Sequence, residues 1–361
     1  MELNKGITGK YSTLKVFHHP EKVKSLLERR VTSPLYVRVK PTNNCNHNCV
    51  YCLYHPEYSG IHQTVNRMDE IPKEKMMEVL DDFKEMGVKA VTFSGGGEPL
   101  LHPNITEILK KTLENRIRLS MITNGQSLKG EPAKLLYNAD WVRVSLDYCT
   151  PEMFTEIRRR PEEHFDIVRQ NIQQFARNKS PDCDLGVNCV VSNYNFDRLF
   201  DIAKFCKDLG VDNLRFSPFQ RFSQTEFLEY HTPIRDKVKK QIEKAKELQD
   251  AKFSIGSSYE GYFRDTNKRG YPRCFYMEIV PVVASDQNIY TCHNRAYEPD
   301  GKIGSIKTQS FKDVWFSKKT AEFFKNFNPQ KLCNHECSND EKNRILNEFS
   351  NCKDKGVMEY V

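Results

Sequence analysis

Short apolar segments alternate with helical segments through the first two thirds of the chain. The six strand candidates are rich in β-branched and aromatic residues and comprise 35–40, 88–94, 116–123, 141–147, 184–191 and 214–219. In the helical segment after the first strand, Met76, Leu80 and Phe83 share one face and Gly87 suits the carboxyl end. Strands that alternate with helices, and are too apolar for one-sided exposure, predict an α/β fold with a parallel sheet, doubly wound or closing as a barrel. Active sites in such folds lie at the carboxyl ends of the strands.

This alternation ends after the sixth strand candidate. Helix 233–250 is amphipathic and rich in Lys and Glu, and a cysteine-bearing hairpin over 278–292 and several short helices follow it. We therefore expect an N-terminal extension (1–34), a core domain (35–232), and a linker helix followed by a small α+β module (233–361).

The composition is typical of a soluble globular protein, because 38% of the 361 residues are hydrophobic and 29% are charged. No apolar run approaches the roughly 18 residues that a membrane span needs, and the first residues lack the apolar segment of a signal peptide. The net charge of +7 is modest and scattered, apart from 158–160, which we interpret as a solvated helix edge, so no nucleic-acid partner is expected. We expect a reducing, cytoplasmic location, in which the 12 cysteines include metal or redox ligands.

Three cysteines, Cys45, Cys49 and Cys52, follow the first strand directly. Structural zinc needs four ligands, and His47 or His55 could supply the fourth, so a zinc site remains open at this point. Three thiolates fit better to a 4Fe–4S cluster in which one iron has no protein ligand. Such an iron can hold a substrate or a cofactor.

The spacing Cys-x-x-x-Cys-x-aromatic-Cys, with Tyr51 as the aromatic residue, resembles the signature of radical SAM enzymes. Further segments resemble that family in the same order along 35–220. The matching residues are Gly96, Gly97, Glu98 and Pro99; Thr123 and Asn124; Ser145, Asp147 and Arg158; and Asn188 in the fifth strand candidate.

The resemblance implies a partial (β/α)6 barrel that binds S-adenosyl-L-methionine (SAM) beside the first cluster. It implies that the Gly-Gly-Glu-Pro backbone and Glu98 hold the SAM amino group, and that Ser145 and Arg158 touch its ribose and carboxylate. The segment around Asn188 would line the adenosine. It further implies a 5'-deoxyadenosyl radical that takes hydrogen from an unactivated C–H bond, and an electron donor such as flavodoxin or ferredoxin.

A second group of cysteines lies in the C-terminal module: Cys274, Cys292, Cys333 and Cys337. Four thiols can ligate a second cluster completely, although zinc, or burial of Cys274 as a hydrophobic residue, would also explain some of them. The arrangement resembles the Twitch module, a shortened SPASM domain with one auxiliary 4Fe–4S cluster, which makes two clusters in all. One departure is Gln287, where the family usually has Gly. Cys352 is left over and is interpreted as an exposed, inert thiol.

A fully ligated auxiliary cluster favours oxidation of a small, carbohydrate-like substrate, as in Twitch dehydrogenases acting on aminocyclitols. Epimerisation and maturation of a ribosomal peptide remain alternatives. Peptide maturases usually carry an N-terminal recognition domain, for which 1–34 is too short. The branch that makes the molybdopterin precursor ends in Gly-Gly, whereas this chain ends in GVMEYV. A zinc-stabilised binding protein is the non-enzymatic alternative.

Cys149 is the catalytic candidate for the epimerase alternative. It follows the fourth strand candidate, and a thiol there could return a hydrogen atom to a substrate radical. Cys183, Cys189 and Cys206 are poorer candidates, because the first lies at the wrong end of the barrel and the others have the spacing of core residues. We expect oxidation, with Cys149 merely packed behind its loop.

Overall fold

The computed structural model describes residues 12–54, 65–220, 223–263 and 267–352. His55 and the C-terminal GVMEYV therefore lie outside the described residues. The described strands form one sheet with the order β10-β9-β8-β1-β2-β3-β4-β5-β6-β7. They are β1 Tyr36–Val39, β2 Ala90–Phe93, β3 Arg118–Thr123, β4 Trp141–Ser145, β5 Asp184–Val191, β6 Asn213–Pro218, β7 Ser254–Ser257, β8 Val282–Val283, β9 Asn288–Tyr290 and β10 Lys302–Ser305.

The α-helices are α1 Pro20–Leu27, α2 Lys73–Met86, α3 Ile105–Glu114, α4 Gly130–Leu136, α5 Pro151–Arg158, α6 Glu163–Asn178, α7 Leu199–Asp208, α8 Gln224–His231, α9 Arg235–Lys246, α10 Tyr259–Tyr262, α11 Phe311–Trp315, α12 Lys318–Asn326, α13 Pro329–Leu332 and α14 Asp340–Cys352. Among the described residues, none of these helices combines the length and the apolar character needed to cross a membrane.

The first seven strands run parallel and are joined by helices, which confirms the predicted partial barrel. The sheet stays open, and β8 extends it by pairing in parallel with β1, so that Val282 lies opposite Arg38. The predicted hairpin is formed by β8 and β9. It therefore adds to the sheet of the core rather than forming a sheet of its own.

The strands are less apolar on one face than we expected from the sequence. Val37 and Val39 are fully buried in the main apolar core, whereas Arg38, between them, is only half-buried. The same alternation continues in β4, where Arg143 is half-buried between Val142 and Val144. Side chains alternate between the two faces of a strand, so the sheet has an apolar face against the helices and a polar concave face. We call the space beside that concave face the lumen.

Two predicted helices differ from the structure. The helical sequence over 151–177 forms two helices, α5 and α6, because Pro161 interrupts the backbone hydrogen bonds and disfavours helical geometry before it. Arg159, which ends α5, is left-handed with a φ of 50°. The helix predicted over 233–250 is shorter in the structure, where it is α9, Arg235–Lys246, and a separate helix, α8, precedes it. The seventh strand, β7, was not predicted, because only Ile255 among its residues is buried and its apolar signal is correspondingly short.

Candidate cofactor sites

The three-cysteine loop begins beyond the carboxyl end of β1 and rests on the carboxyl end of α5. The amides of Asn48 and Val50 donate hydrogen bonds to the carbonyls of Arg158 and Ile157, at 3.0 and 3.1 Å. The last carbonyls of a helix have no hydrogen-bond partner within the helix. The loop amides supply those partners, and the same hydrogen bonds fix the position of the loop. This docking brings the thiols to the end of the barrel predicted for the active site.

The glycine-rich segment after β2 packs against the start of the same loop. Gly97 donates to the carbonyl of Thr42 at 3.0 Å, and Glu98 donates to that of Asn44 at 2.8 Å. A Cβ atom on Gly96 would overlap the side chain of Asn43, and one on Gly97 would overlap the backbone of Asn43 and Asn44. The glycines are therefore required for close backbone approach.

The Glu98 carboxylate links this segment to the end of β3. It accepts hydrogen bonds from Thr123 Oγ1 and from the Asn124 amide, both at 2.7 Å, and from the Leu100 amide at 3.1 Å. Burial raises the pKa of Glu98 to about 7, although these donors oppose the shift. Both carboxylate oxygens already accept donors of the protein, so this geometry favours a role in ordering the loop over direct contact with an ammonium group.

A buried network joins Arg158 and Asp147 to the cysteine loop. Arg158 Nη2 lies 2.7 Å from Asp147 Oδ1, and the two side chains are 3% and 1% exposed. Arg158 also donates to the carbonyl of Ser145 at 2.8 Å and to Cys49 Sγ at 3.0 Å, and the Tyr51 hydroxyl donates to Asp147. Four of the residues predicted to bind SAM therefore meet in one place.

Several buried polar atoms at this end of the barrel lack hydrogen-bond partners in the described part of the chain, and two of them are potential donors to a ligand. They are Arg158 Nε and the hydroxyl of Ser94, the residue that precedes the glycine-rich segment. Buried polar atoms normally have partners, so this region has donors left for a polar ligand. Ser145 and Asn188 lie opposite each other in the register of β4 and β5, and Asn188 donates to Ser217 Oγ at 3.0 Å. These observations fit a polar cofactor such as SAM.

The three thiols lie close enough to repel one another when ionised. Burial, together with the neighbouring thiol of Cys49, raises the pKa of Cys45 to about 12 and that of Cys52 to about 11. Thiolates in such a group need a positive partner, which iron supplies. Asn124 Nδ2, 3.9 Å from Cys45 Sγ, adds a weak donor to sulfur.

The zinc alternative is not supported at either thiol group. No three His, Cys, Asp or Glu side chains in the described ranges converge closely enough to hold one metal ion. A single zinc would hold its sulfur ligands about 3.8 Å apart, whereas a cluster spreads them over separate irons. One nitrogen of the His47 ring, Nε2, is engaged elsewhere, 2.7 Å from Gln126 Oε1.

The second group of thiols converges from three separate segments of the C-terminal module. Cys274 precedes a 3-10 helix, Cys292 follows β9, and Cys333 and Cys337 precede α14. Burial raises the pKa of all four thiols, and every pair among them interacts electrostatically. Asn343 donates to Cys274 Sγ at 3.5 Å. Four half-buried thiols with a donor to sulfur fit a fully ligated cluster.

Gln287 stands where the family usually has glycine, and its backbone conformation is one that suits glycine. Gln287, in the turn between β8 and β9, has a φ of 61°. That left-handed conformation favours glycine, so the backbone at Gln287 has a geometry that a glycine would adopt without strain.

Sequence reasoning missed a buried lysine between the two thiol groups. Lys40, at the end of β1, is fully buried, and its Nζ donates to the Tyr54 hydroxyl at 2.7 Å. The ring of Tyr297 lies 4.9 Å from the same Nζ, and the Tyr54 hydroxyl lies 3.1 Å from His293 Nε2. A charged residue at the end of an otherwise apolar strand is the signal that could have found it.

Cys149 lies on the helix side of the sheet. Its Sγ is 3.8 Å from Met153 Sδ. Burial raises its pKa to about 11, and the charges that act on it are Arg198 and Asp201, near the start of α7. Cys206 of α7 interacts with it as well. Cys183, Cys189 and Cys206 are buried, and Cys352 is exposed.

Comparison with known proteins agrees with this geometry. The model of the radical SAM superfamily matches residues 39–206, and the model of the SPASM iron–sulfur cluster-binding domain matches 274–338. A probable GTP 3',8-cyclase of Methanocaldococcus jannaschii is 30% identical over 58% of this chain and 67% of its own length. A GTP 3',8-cyclase of Limosilactobacillus fermentum is 30% identical over 51% of this chain and 54% of its own length. The chain thus spans between about half and two thirds of these relatives.

Solved structures show the same fold. Streptococcus suis SuiB bound to the precursor peptide SuiA has a TM-score of 0.61 and 14% identity, over 86% of this chain and 71% of that one. Native anSMEcpe with bound AdoMet has a TM-score of 0.55 and 19% identity, over 81% of this chain and 83% of that one. The matched domains imply SAM and 4Fe–4S clusters as cofactors. The chain belongs to the radical SAM superfamily and carries a C-terminal SPASM iron–sulfur domain.

Proposed function

We propose that this enzyme oxidises a small, carbohydrate-like substrate by removing hydrogen from an unactivated C–H bond. Cys45, Cys49 and Cys52 would hold the SAM-cleaving cluster, and Cys274, Cys292, Cys333 and Cys337 would hold the auxiliary cluster. When bound, SAM and the first cluster supply a strong hydrogen-atom acceptor, and the second cluster supplies a site for one electron. For a secondary alcohol, one hydrogen atom, one electron and one proton leave as the ketone forms.

The residues of this chain would orient the reactants. Glu98 orders the Thr123–Asn124 turn, and the Arg158–Asp147 pair fixes the cysteine loop through Cys49. Arg158 Nε, with no partner among the described residues, would donate to a polar group of SAM. Because this network is almost fully buried, it also excludes water from the end of the barrel.

The main observation that supports this proposal is the convergence of four thiols in the C-terminal module. A cluster with four protein ligands has no iron left for substrate, so electron transfer is the role that remains for it. The location of Cys149 supports oxidation over epimerisation, because a thiol packed against α7 is poorly placed to reach a substrate in the lumen.

Cyclisation of a nucleotide is the second candidate. The observation that favours it is the 30% identity to proteins named GTP 3',8-cyclase. The likeness to SuiB and anSMEcpe reflects the fold, so it does not by itself favour a peptide substrate.

The test uses anaerobically reconstituted full-length protein with SAM and a reductant. Candidate carbohydrates and GTP are screened by the 5'-deoxyadenosine that each one induces, and the mass of each substrate that responds is followed in deuterated water. Cys149→Ala is compared with wild type, and Cys352→Ala, which removes an exposed thiol, is the matched control.

Oxidation predicts that the substrate loses two mass units in all three proteins. A gain of one deuterium in wild type that disappears in Cys149→Ala would replace oxidation by epimerisation. Consumption of GTP without a response to any carbohydrate would favour the cyclase.

A further inference from the structure

A large cavity lies along the polar face of the barrel. Its volume is about 770 Å³, and it reaches from Arg38 and Thr92 on the strands to Cys292 and Cys337 of the second thiol group. A cluster held by those thiols would fill one end. The volume is in the range of pockets for small molecules.

Basic residues from separate elements of the fold lie in or near the cavity. Arg38 on β1, Lys15 near the N-terminus and Lys342 on α14 line it. Arg215 of β6 does not line the cavity, but its side chain faces the same lumen, because its neighbours Leu214 and Phe216 belong to the apolar core, and its charge acts on Lys342. Arg215 is exposed, so it is available to a ligand.

Three of these cations, Arg38, Arg215 and Lys342, have no carboxylate partner among the described residues, since no Asp or Glu there lies within ion-pair distance of them. Burial lowers the pKa of Lys342, and the charges of Arg38 and Arg215 lower it further. By contrast, Arg118 at the cavity rim is neutralised by Asp140, with Nε 2.7 Å from Oδ1. Cations gathered without counter-charges favour an anionic ligand.

Cys45, Cys49 and Cys52 do not line the cavity, but Lys40 connects its wall to them. Lys40 follows Arg38 by two residues on β1, which is about 7 Å along a strand. Lys40 interacts electrostatically with both Cys292 and Cys52. A ligand beside Arg38 would therefore share the cavity with the second thiol group and lie two residues along the chain from a lysine that acts on both groups.

We propose that the lumen binds an anionic group of the substrate, a phosphate or a carboxylate, through Arg38, Arg215 and Lys342. This proposal rests on the proposed function and adds the chemical class of the substrate: a small, carbohydrate-like molecule with an acidic group. A competing explanation is that these cations only offset the thiolates of the second group, since Arg38 interacts with Cys292 and Lys342 with Cys337.

Arg215 separates the two explanations. It is not among the largest influences on the thiols of Cys292 and Cys337, so Arg215→Gln should leave the second cluster intact. Arg177, an exposed arginine of α6 without an ion pair among the described residues, provides the matched control Arg177→Gln. Arg215→Lys keeps the charge and controls for folding.

The experiment measures equilibrium binding of D-glucose 6-phosphate, D-glucuronate and uncharged D-glucose to the reconstituted full chain. Iron content and the absorption band near 400 nm are recorded for each variant. We expect at least one anion to bind wild type ten times or more tightly than glucose, and the better anion identifies phosphate or carboxylate as the preferred group. Arg215→Gln should weaken that binding about tenfold or more, as expected for a hydrogen bond to a charged group, whereas Arg177→Gln and Arg215→Lys should retain most of it.

The proposal is wrong if neither anion binds more tightly than glucose, or if Arg215→Gln and Arg177→Gln bind alike. Loss of iron in Arg215→Gln would instead assign the cations to the second cluster. Because binding is measured without turnover, its failure is distinct from a failure of the oxidation test.

Discussion

Removing the carboxylate of Asp147 should destabilise the protein by about 3–5 kcal/mol, because it leaves a buried guanidinium without its counter-charge. The side chains of Arg158 and Asp147 are 3% and 1% exposed, so water cannot replace the lost partner. The Tyr51 hydroxyl loses its acceptor in the same variant. Arg158 keeps the Ser145 carbonyl at 2.8 Å, which offsets only part of the loss. The effect is a large fraction of a typical folding free energy of about 5–15 kcal/mol.

The assay is urea unfolding of Asp147→Ala under anaerobic conditions, with iron content measured alongside. The control is Asp201→Ala, which removes an ion pair of similar length, 2.6 Å, whose side chains are 46% and 47% exposed. Such a surface pair contributes only about 0.2–1 kcal/mol. Asp147→Asn keeps an acceptor for Tyr51 and should lie between the two. Equal losses for Asp147→Ala and Asp201→Ala, both below about 1 kcal/mol, would refute the argument that burial makes this pair indispensable.

Three further predictions concern the thiol groups and the turn between β8 and β9. Replacing Cys45, Cys49 and Cys52 together by Ala should leave about four irons per chain and no SAM cleavage; cleavage at the wild-type rate would contradict the assignment. Cys337→Ala should lower the iron content and reduce product formation more than uncoupled SAM cleavage, and an unchanged iron content would argue against this ligand. Gln287→Gly should leave stability unchanged or raise it by up to about 1 kcal/mol, because it relieves a left-handed residue. Gln287→Val should be destabilising in the same thermal unfolding experiment, and the opposite order would be inconsistent with a strained turn.

Local patterns predicted most of the repeating units. The period of apolar residues located six of the parallel strands and most of their helices, and the left-handed Gly87 ends its helix as expected. These features depend on residues that are close in sequence. The split of the segment 151–177 and the short strand β7 were missed, because a single proline and a single buried isoleucine carry those signals.

The sequence by itself determined which chemistry the chain can host, since the spacing of three cysteines and a glycine-rich turn sets the ligand type and the room for a cofactor. Only the tertiary structure decided which side chains meet. Glu98 contacts Thr123 and Asn124, and Tyr51 contacts Asp147, because the parallel strands β1 to β4 all end at the same edge of the sheet.

The lumen likewise exists only in the folded chain. Arg38, Arg215 and Lys342 are far apart in sequence, and each one alone is compatible with an ordinary surface residue. The curved sheet brings the concave faces of β1 and β6 together, and β8 attaches the C-terminal module to β1. Long-range contacts of this kind depend on how the whole sheet pairs and twists, which no local period encodes.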